Sequence, residues 1–225
     1  MSHHVLKELL GPTLPVGDPE VRAIAVTTAD GQVSVAGTSQ SLGSNLDTEL
    51  LQELRWWSDV VLVGSRTVKA ENYGGVQVPE WVRSVRKSRG QAEVPPIAVI
   101  SRSLDFDMSS RFFTDTKVPP LVLSPTDRQV PGLNTVHVPD EDYIDALGRL
   151  GLHRVSVEGG PGIYSRAFRR NEVDLLHLTI DPSLALSSHH PLMFADSEHT
   201  PLSLSLEYSH VDTEGCVFLR YRVRN

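Results

Sequence analysis

The sequence predicts an α/β domain with a mixed, mostly parallel central sheet, flanking helices and antiparallel strands at the C-terminal end. Three observations carry this. Short apolar, β-branched runs alternate with amphipathic helical stripes from residue 21 to residue 170, the pattern of β–α–β units with parallel strands. Two of the strands run through glycine into a helix. One is Asp59-Val-Val-Leu-Val63 before Gly64-Ser65-Arg66-Thr67; the other is Leu152 to Val157 before Glu158-Gly-Gly-Pro-Gly-Ile-Tyr164. The period then changes to two: Leu202, Leu204, Leu206 and Tyr208 alternate with Ser203, Ser205 and Glu207, and Val217, Leu219, Tyr221 and Val223 alternate likewise. That period predicts antiparallel strands with one buried face.

In chain order, Val21 to Thr27 is the first strand, ended by the Asp30-Gly31 turn. Asp-Gly is a turn signal in itself, so Asp30 is read as a turn former rather than a proton carrier. Ser44 and Asn45 suit an N-cap, and Asp47 and Glu49 suit a first helical turn, where carboxylates complement the dipole. That helix buries Leu46, Leu50, Leu51, Leu54 and Trp57 and carries Arg55 at its flank; Trp56 and Trp57 are core or interface aromatics. Strand 59–63 leads to a helical turn reaching Glu71, and residues 74–90 read as loop-rich and cationic. Further strands are expected at 97–101, 121–124 and 135–138, then a helix over 140–149 that exposes Asp and Glu while burying Tyr143, Ile144 and Leu147. Strand 152–157, the glycine-rich turn and helix 161–170 follow, and Leu176, Leu178 and Ile180 alternate along one further strand. With no linker, repeat or low-complexity run, residues 1–225 read as a single domain, with 1–20 as an N-terminal extension.

Composition excludes several function classes. The net charge of −7 argues against a general nucleic-acid binder, because no basic excess exists to displace counterions. An anionic ligand must then be held by local arginines and helix ends. The single Cys216 rules out internal disulfides and cysteine-rich zinc sites. His189, His190 and His199 lack a helical ligand spacing and read as a solvated loop, and His3 and His4 as part of a frayed terminus, so no metal is expected. No apolar stretch approaches the ~18 residues that span a bilayer. Val5 to Leu10 is too short for a signal core and carries Lys7 and Glu8. No membrane association and a cytoplasmic location are the expectations.

The two glycine junctions carry chemistry. Glycine lets the main chain approach a ligand closely, and a helix start offers unpaired N–H groups and the positive end of a dipole. A strand–glycine–helix junction therefore suits a phosphate or pyrophosphate. Two of them suggest a ligand with two or more phosphates. Glu158, one residue before the second cradle, is expected to face whatever that ligand reacts with.

The Rossmann fingerprint does not fit, since a third glycine counted from Gly160 would fall at Ser165. Another pattern does. Leu54-Arg55, Asp59 to Leu62, the run Val63-Gly-Ser-Arg-Thr-Val-Lys-Ala-Glu-Asn-Tyr-Gly74, Glu158-Gly-Gly-Pro161 and Asp174-Leu-Leu-His-Leu-Thr-Ile180 together resemble the reductase domain of riboflavin biosynthesis. The Asp30-Gly31 turn and Gly37-Thr-Ser39 extend the resemblance over residues 20–223. It implies the dihydrofolate-reductase fold and an NADPH-dependent oxidoreductase. In that family NADPH reduces the ribose of 5-amino-6-(5-phosphoribosylamino)uracil at C1′. It also implies roles by position: Ser39, Asp47, Arg55 and Glu158 toward the substrate, with Glu158 catalytic. Thr28, Ser41, Gly64, Arg66, Thr67, Glu71 and the run Gly159, Gly160, Pro161, Gly162, Ile163 and Tyr164 would lie around the cofactor. Ser101 and Arg102 resemble the loop for the adenosine 2′-phosphate, so NADPH is expected over NADH. A homodimer is implied, with the C-terminal strands as its interface.

Ile24 stands where members usually carry Lys or Asn, and the family's Pro-x-Leu-Thr-x-Arg segment is replaced by Tyr73-Gly-Gly-Val-Gln-Val78. Arg83, Arg86 and Arg89 are the candidates to replace the family's arginine for the substrate phosphate. No deaminase segment accompanies the reductase pattern. Two alternatives stay open: a reductase for another phosphorylated pyrimidine or pterin-like substrate, and a nucleotide-binding protein without turnover.

Overall fold

The computed structural model describes residues 2–186, 190–194 and 201–224. Its elements begin with α1 (Ser2–Leu10), β1 (Glu20–Thr28), α2 (Asn45–Trp57), β2 (Val60–Gly64) and α3 (Ser65–Ala70). Next come α4 (Glu80–Ser88), β3 (Ile97–Ile100), α5 (Arg111–Thr114), β4 (Leu121–Ser124), β5 (Asn134–His137) and α6 (Tyr143–Arg149). The chain ends with β6 (Arg154–Val157), α7 (Pro161–Arg169), β7 (Leu175–Asp181), β8 (Ser203–Val211) and β9 (Val217–Arg224). His189 and His199 lie outside the described residues.

Two compact units form, one central in the sequence (residues 14–20 and 55–156) and one flanking it in the sequence (residues 1–13, 21–54 and 157–225). In the central unit the strand order is β5-β4-β3-β2-β6, and the β2–β3, β3–β4 and β4–β5 pairs are parallel. Strands of a parallel sheet are buried on both faces, which explains why Val60 to Val63 form an unbroken apolar run, each residue 2% exposed or less. Val61, Val63, Val99 and Val122 pack with Val82 of α4 and Phe112 of α5 into one core. In the flanking unit β1 pairs parallel with β7, and β7 and β8 flank β9 antiparallel. The α/β class, the mostly parallel pairing and the antiparallel end agree with the sequence pattern.

Three expectations need correction. Residues 74–90 are not a loop throughout, because Glu80 to Ser88 form α4. Helix α6 begins at Tyr143, not 140, leaving Glu141 in a left-handed turn with φ 56°. The third concerns the C-terminal strands, whose alternation is present while the closed face differs. Leu204 and Leu206 are 40% and 53% exposed, whereas Phe218 and Arg220 are 1% and 7% exposed. The reason is α1, which packs against β8 and β9. Arg220 donates from Nη1 to the carbonyls of Glu8 and Leu9, and Arg22 donates to Leu10 and Pro12 at 2.6 Å each. The last carbonyls of a helix have no partner within it, so two buried guanidinium groups serve as its C-terminal cap. The expected N-terminal extension is thus, over residues 2–10, a docked helix.

Candidate functional site

In the flanking unit the site is built on the turn from β6 into α7. Pro161 occupies the first turn of α7, where its missing N–H costs nothing, and Gly160 caps it. The N–H groups of Ile163 and Tyr164 return to the Gly160 carbonyl, so the exposed Gly162 N–H precedes the intrahelical ladder. Gly159 has φ 80°, and the Gly159-Gly160 peptide is cis. A Cβ on Gly159 would lie 2.4 Å from the Tyr164 ring, so only glycine fits here. Tyr164 is itself fixed, because its hydroxyl donates to the Ile24 carbonyl. Burial, and after it the carboxylates of Glu158 and Asp47, push the Tyr164 hydroxyl far above its usual range, so it remains a neutral donor. Glu158 is 7% exposed and directly follows β6.

Asp47 lies in the first turn of α2, and its Oδ1 is sealed from solvent with no hydrogen-bond partner among the described residues. Burial raises its pKa to about 6; the Thr179 hydroxyl opposes this, and the charges of Asp181 and Asp212 reinforce it. Asp181 accepts the Gly43 N–H at 2.9 Å and so ties the loop before α2 to the end of β7. On that loop Ser39 is half-buried, with its carbonyl closing a turn to Leu42, and Ser41 is exposed.

A raised folded-state pKa has a definite sign for stability. The folded protein holds the Asp47 proton more tightly than the unfolded chain, so this group's contribution is best near pH 4 and declines as pH rises through about 6. Asp47→Asn is therefore expected to match the parent's stability near pH 4 and to exceed it at pH 8 by on the order of 2–3 kcal/mol. Denaturant melts of both proteins at the two pH values check this. An equal difference at both would remove Asp47 as the titrating group.

In the central unit β2 passes through Gly64, the N-cap of α3, into a turn that exposes Arg66 and half-exposes Thr67. Glu71 caps the other end of α3 through its N–H to Thr67. The Arg55 guanidinium stands 5.3 Å from the centroid of the Tyr73 ring, within cation–π range. Arg102 leaves the end of β3, and its Nε and Nη2 donate to Glu141 Oε1 at 3.1 and 2.7 Å.

Several expected site residues sit differently. Thr28 is fully buried, with its hydroxyl donating to Asp30 and accepting the Gln32 N–H, so it shapes the turn and presents no surface to a ligand. Asp30 accepts the N–H groups of Ala185 and Leu186 and is a turn former, as expected. Ser101 is 3% exposed and its hydroxyl accepts the Leu104 N–H, so it sets the course of the loop that carries Arg102. Among the candidate phosphate arginines, Arg86 is excluded. It is 2% exposed and donates to the carbonyls of Trp56, Ser58 and Ala92. Arg83 donates to the Val78 carbonyl and pairs with Glu80, whereas Arg89 is exposed at the end of α4. Sequence reading missed Glu141, placing it as an exposed acid on a helix; the Pro139-Asp140 pair before it was the available turn signal.

The model of the RibD C-terminal domain matches residues 19–218. No curated protein matches the sequence. Among solved structures, the chain resembles a pyrimidine reductase-like protein from Corynebacterium diphtheriae, with 29% identity, a TM-score of 0.85, and 98% of this chain and 99% of that chain covered. It also resembles Acinetobacter baumannii RibD at 17% identity and a TM-score of 0.75, covering 93% of this chain and 59% of that one. The Saccharomyces cerevisiae riboflavin biosynthesis reductase Rib7 matches at 19% identity and a TM-score of 0.67, covering 98% and 97%. With these neighbours the chain shares the dihydrofolate-reductase-like fold.

Proposed function

Because the chain belongs to the family of RibD C-terminal domains, a reductase family, we propose that it is an NADPH-dependent reductase of a phosphorylated pyrimidine. The substrate in this reading is 5-amino-6-(5-phosphoribosylamino)uracil, reduced at C1′ of its ribose. The observation that carries the proposal is the β6–α7 junction, where a buried acid is followed by a glycine packed against a tyrosine that is itself hydrogen-bonded in place.

The residues present fit a nucleotide. Gly162, in the first turn of a nine-residue helix, is exposed, and a Cβ there would meet nothing nearer than Phe194 at 3.8 Å. An anionic group is stabilised by such a helix end. In the flanking unit Gly159 to Tyr164 and Ser41 take the cofactor role. In the central unit Gly64, Arg66, Thr67, Glu71 and Arg102 do so, with Thr28 and Ser101 shaping their respective loops. NADPH, when bound, supplies the hydride. Glu158 orients the substrate and compensates charge as C1′ accepts that hydride, while Asp47, Ser39 and Arg55 hold the substrate.

Ile24 favours a second reading. It is 5% exposed and apolar where the family carries a polar side chain, so the structure offers no amine or amide at that point. A different pyrimidine- or pterin-like substrate is the reading this supports. Assembly as a homodimer is part of the proposal and is supported by the open leucine face of β8, since exposed apolar patches mark interaction surfaces. A cytoplasmic enzyme is the matching location; no described helix is long and apolar enough to cross a membrane.

NADPH oxidation with the phosphoribosylamino-uracil and, separately, with dihydrofolate tests the reading. Turnover on the first alone is expected. Oxidation only with dihydrofolate would move the protein to the second reading, and binding without oxidation of either would leave a nucleotide-binding protein.

A further inference from the structure

Arg102 does not stand alone at the end of β3. The Ser101 N–H donates to the Leu123 carbonyl, the Ser101 hydroxyl accepts the Leu104 N–H, and Leu104 turns the chain with φ 53°. This projects the Arg102 side chain outward at 76% exposure. From the other side, the Val138 N–H holds the Ser124 carbonyl at 2.7 Å, and the Glu141 N–H and carbonyl bond to Val138 and Tyr143. With Tyr143 buried at 3%, the 138–143 turn is anchored, and its left-handed Glu141 places a carboxylate on Arg102. One oxygen, Oε1, receives two of the five guanidinium N–H groups. The pair joins residues 39 apart in sequence.

We propose that Glu141 is a coenzyme-specificity residue that restrains the preference for a 2′-phosphate at Arg102. The inference rests on the reading of Arg102 as the residue that meets the adenosine ribose. A guanidinium alone offers a dianionic phosphate a net charge of +1. Paired with Glu141 it offers none, and a phosphate arriving at the remaining N–H groups lies beside a carboxylate of its own sign. A ribose 2′-hydroxyl meets the opposite situation, because it can donate to that carboxylate, as the acidic residue does in NAD-selective sites. Glu141 thus penalises NADPH and tolerates NADH. The protein accepts both, with NADPH ahead by less than about tenfold, the scale set by solvent-screened surface charges.

The test measures dissociation constants for NADPH, NADH, adenosine 2′,5′-bisphosphate and AMP with the parent, Glu141→Gln, Arg102→Ala and the double variant. Glu141→Gln is expected to tighten NADPH and the bisphosphate by roughly two- to fivefold, leaving NADH and AMP unchanged or weaker. The double variant should lose most of that gain, keeping only what relief of direct repulsion by the carboxylate supplies, since the effect acts mainly through Arg102. Equal shifts for phosphorylated and unphosphorylated ligands, or a gain undiminished by removal of Arg102, would overturn the proposal. Failure of all four ligands to bind the parent would overturn the nucleotide reading itself and this inference with it. Binding of NADPH with an unaltered ratio in Glu141→Gln sinks the inference alone. Both side chains are on the surface, and a thermal melt of each variant confirms an intact fold.

Discussion

Glu158→Gln is expected to lower turnover by at least roughly a hundredfold, the low end of what a positioned acid or base contributes. NADPH affinity should stay within about threefold of the parent, because the main-chain groups from Gly159 to Gly162 are untouched by the change. Glutamine keeps the volume of a side chain that is only 7% exposed, so stability should shift by no more than about 1 kcal/mol. What changes is the charge and the proton, at the end of a strand next to the cofactor turn. Single-turnover oxidation of bound NADPH isolates the hydride step from binding. A variant with parental turnover would make Glu158 a structural acid and leave the reaction without a named group.

Gly159→Ala is the second large effect, and it acts on stability first. The new methyl meets the Tyr164 ring at 2.4 Å, and the ring cannot step aside without breaking its bond to the Ile24 carbonyl. The backbone at φ 80° adds a conformational cost that glycine does not carry. Overpacking and a left-handed alanine together should destabilise the protein by about 2–5 kcal/mol. Activity should fall further than stability predicts, since moving either Tyr164 or residue 159 displaces Glu158. Denaturant unfolding of parent and variant, with NADPH oxidation assayed well below the unfolding transition, separates the two effects. An alanine variant with unchanged stability would contradict the described packing of the turn.

Both effects lie in a segment that sequence pattern alone makes readable. The strands at 59–63 and 152–157, the glycines after them and the helix from 161 are encoded by short-range pattern. Apolar β-branched runs cannot stay solvated, and a glycine-proline start commits the following residues to a helix. The same holds for the first-turn position of Asp47 on α2 and for the Asp30 turn. Helix α4 was not readable, because its inward face pairs Val82 with a charged residue, Arg86. A buried guanidinium is stable there only because the carbonyls of Trp56, Ser58 and Ala92 converge on it.

The remaining decisions belong to contacts between segments far apart in the chain. Alternation in β8 and β9 announces two faces but not which one is covered, and the docking of α1 onto Arg22 and Arg220 settles that. An acid at position 141 reads as solvated surface until the fold brings it to Arg102. Thr28 and Ser101 read as ligand contacts until burial shows their hydroxyls satisfied by neighbouring main chain. The sequence by itself therefore determined the α/β class, the two glycine turns and the acid beside one of them, because each rests on residues a few positions apart. Only the tertiary structure decided which polar groups are satisfied within the protein, because a buried polar group finds its partner across the fold.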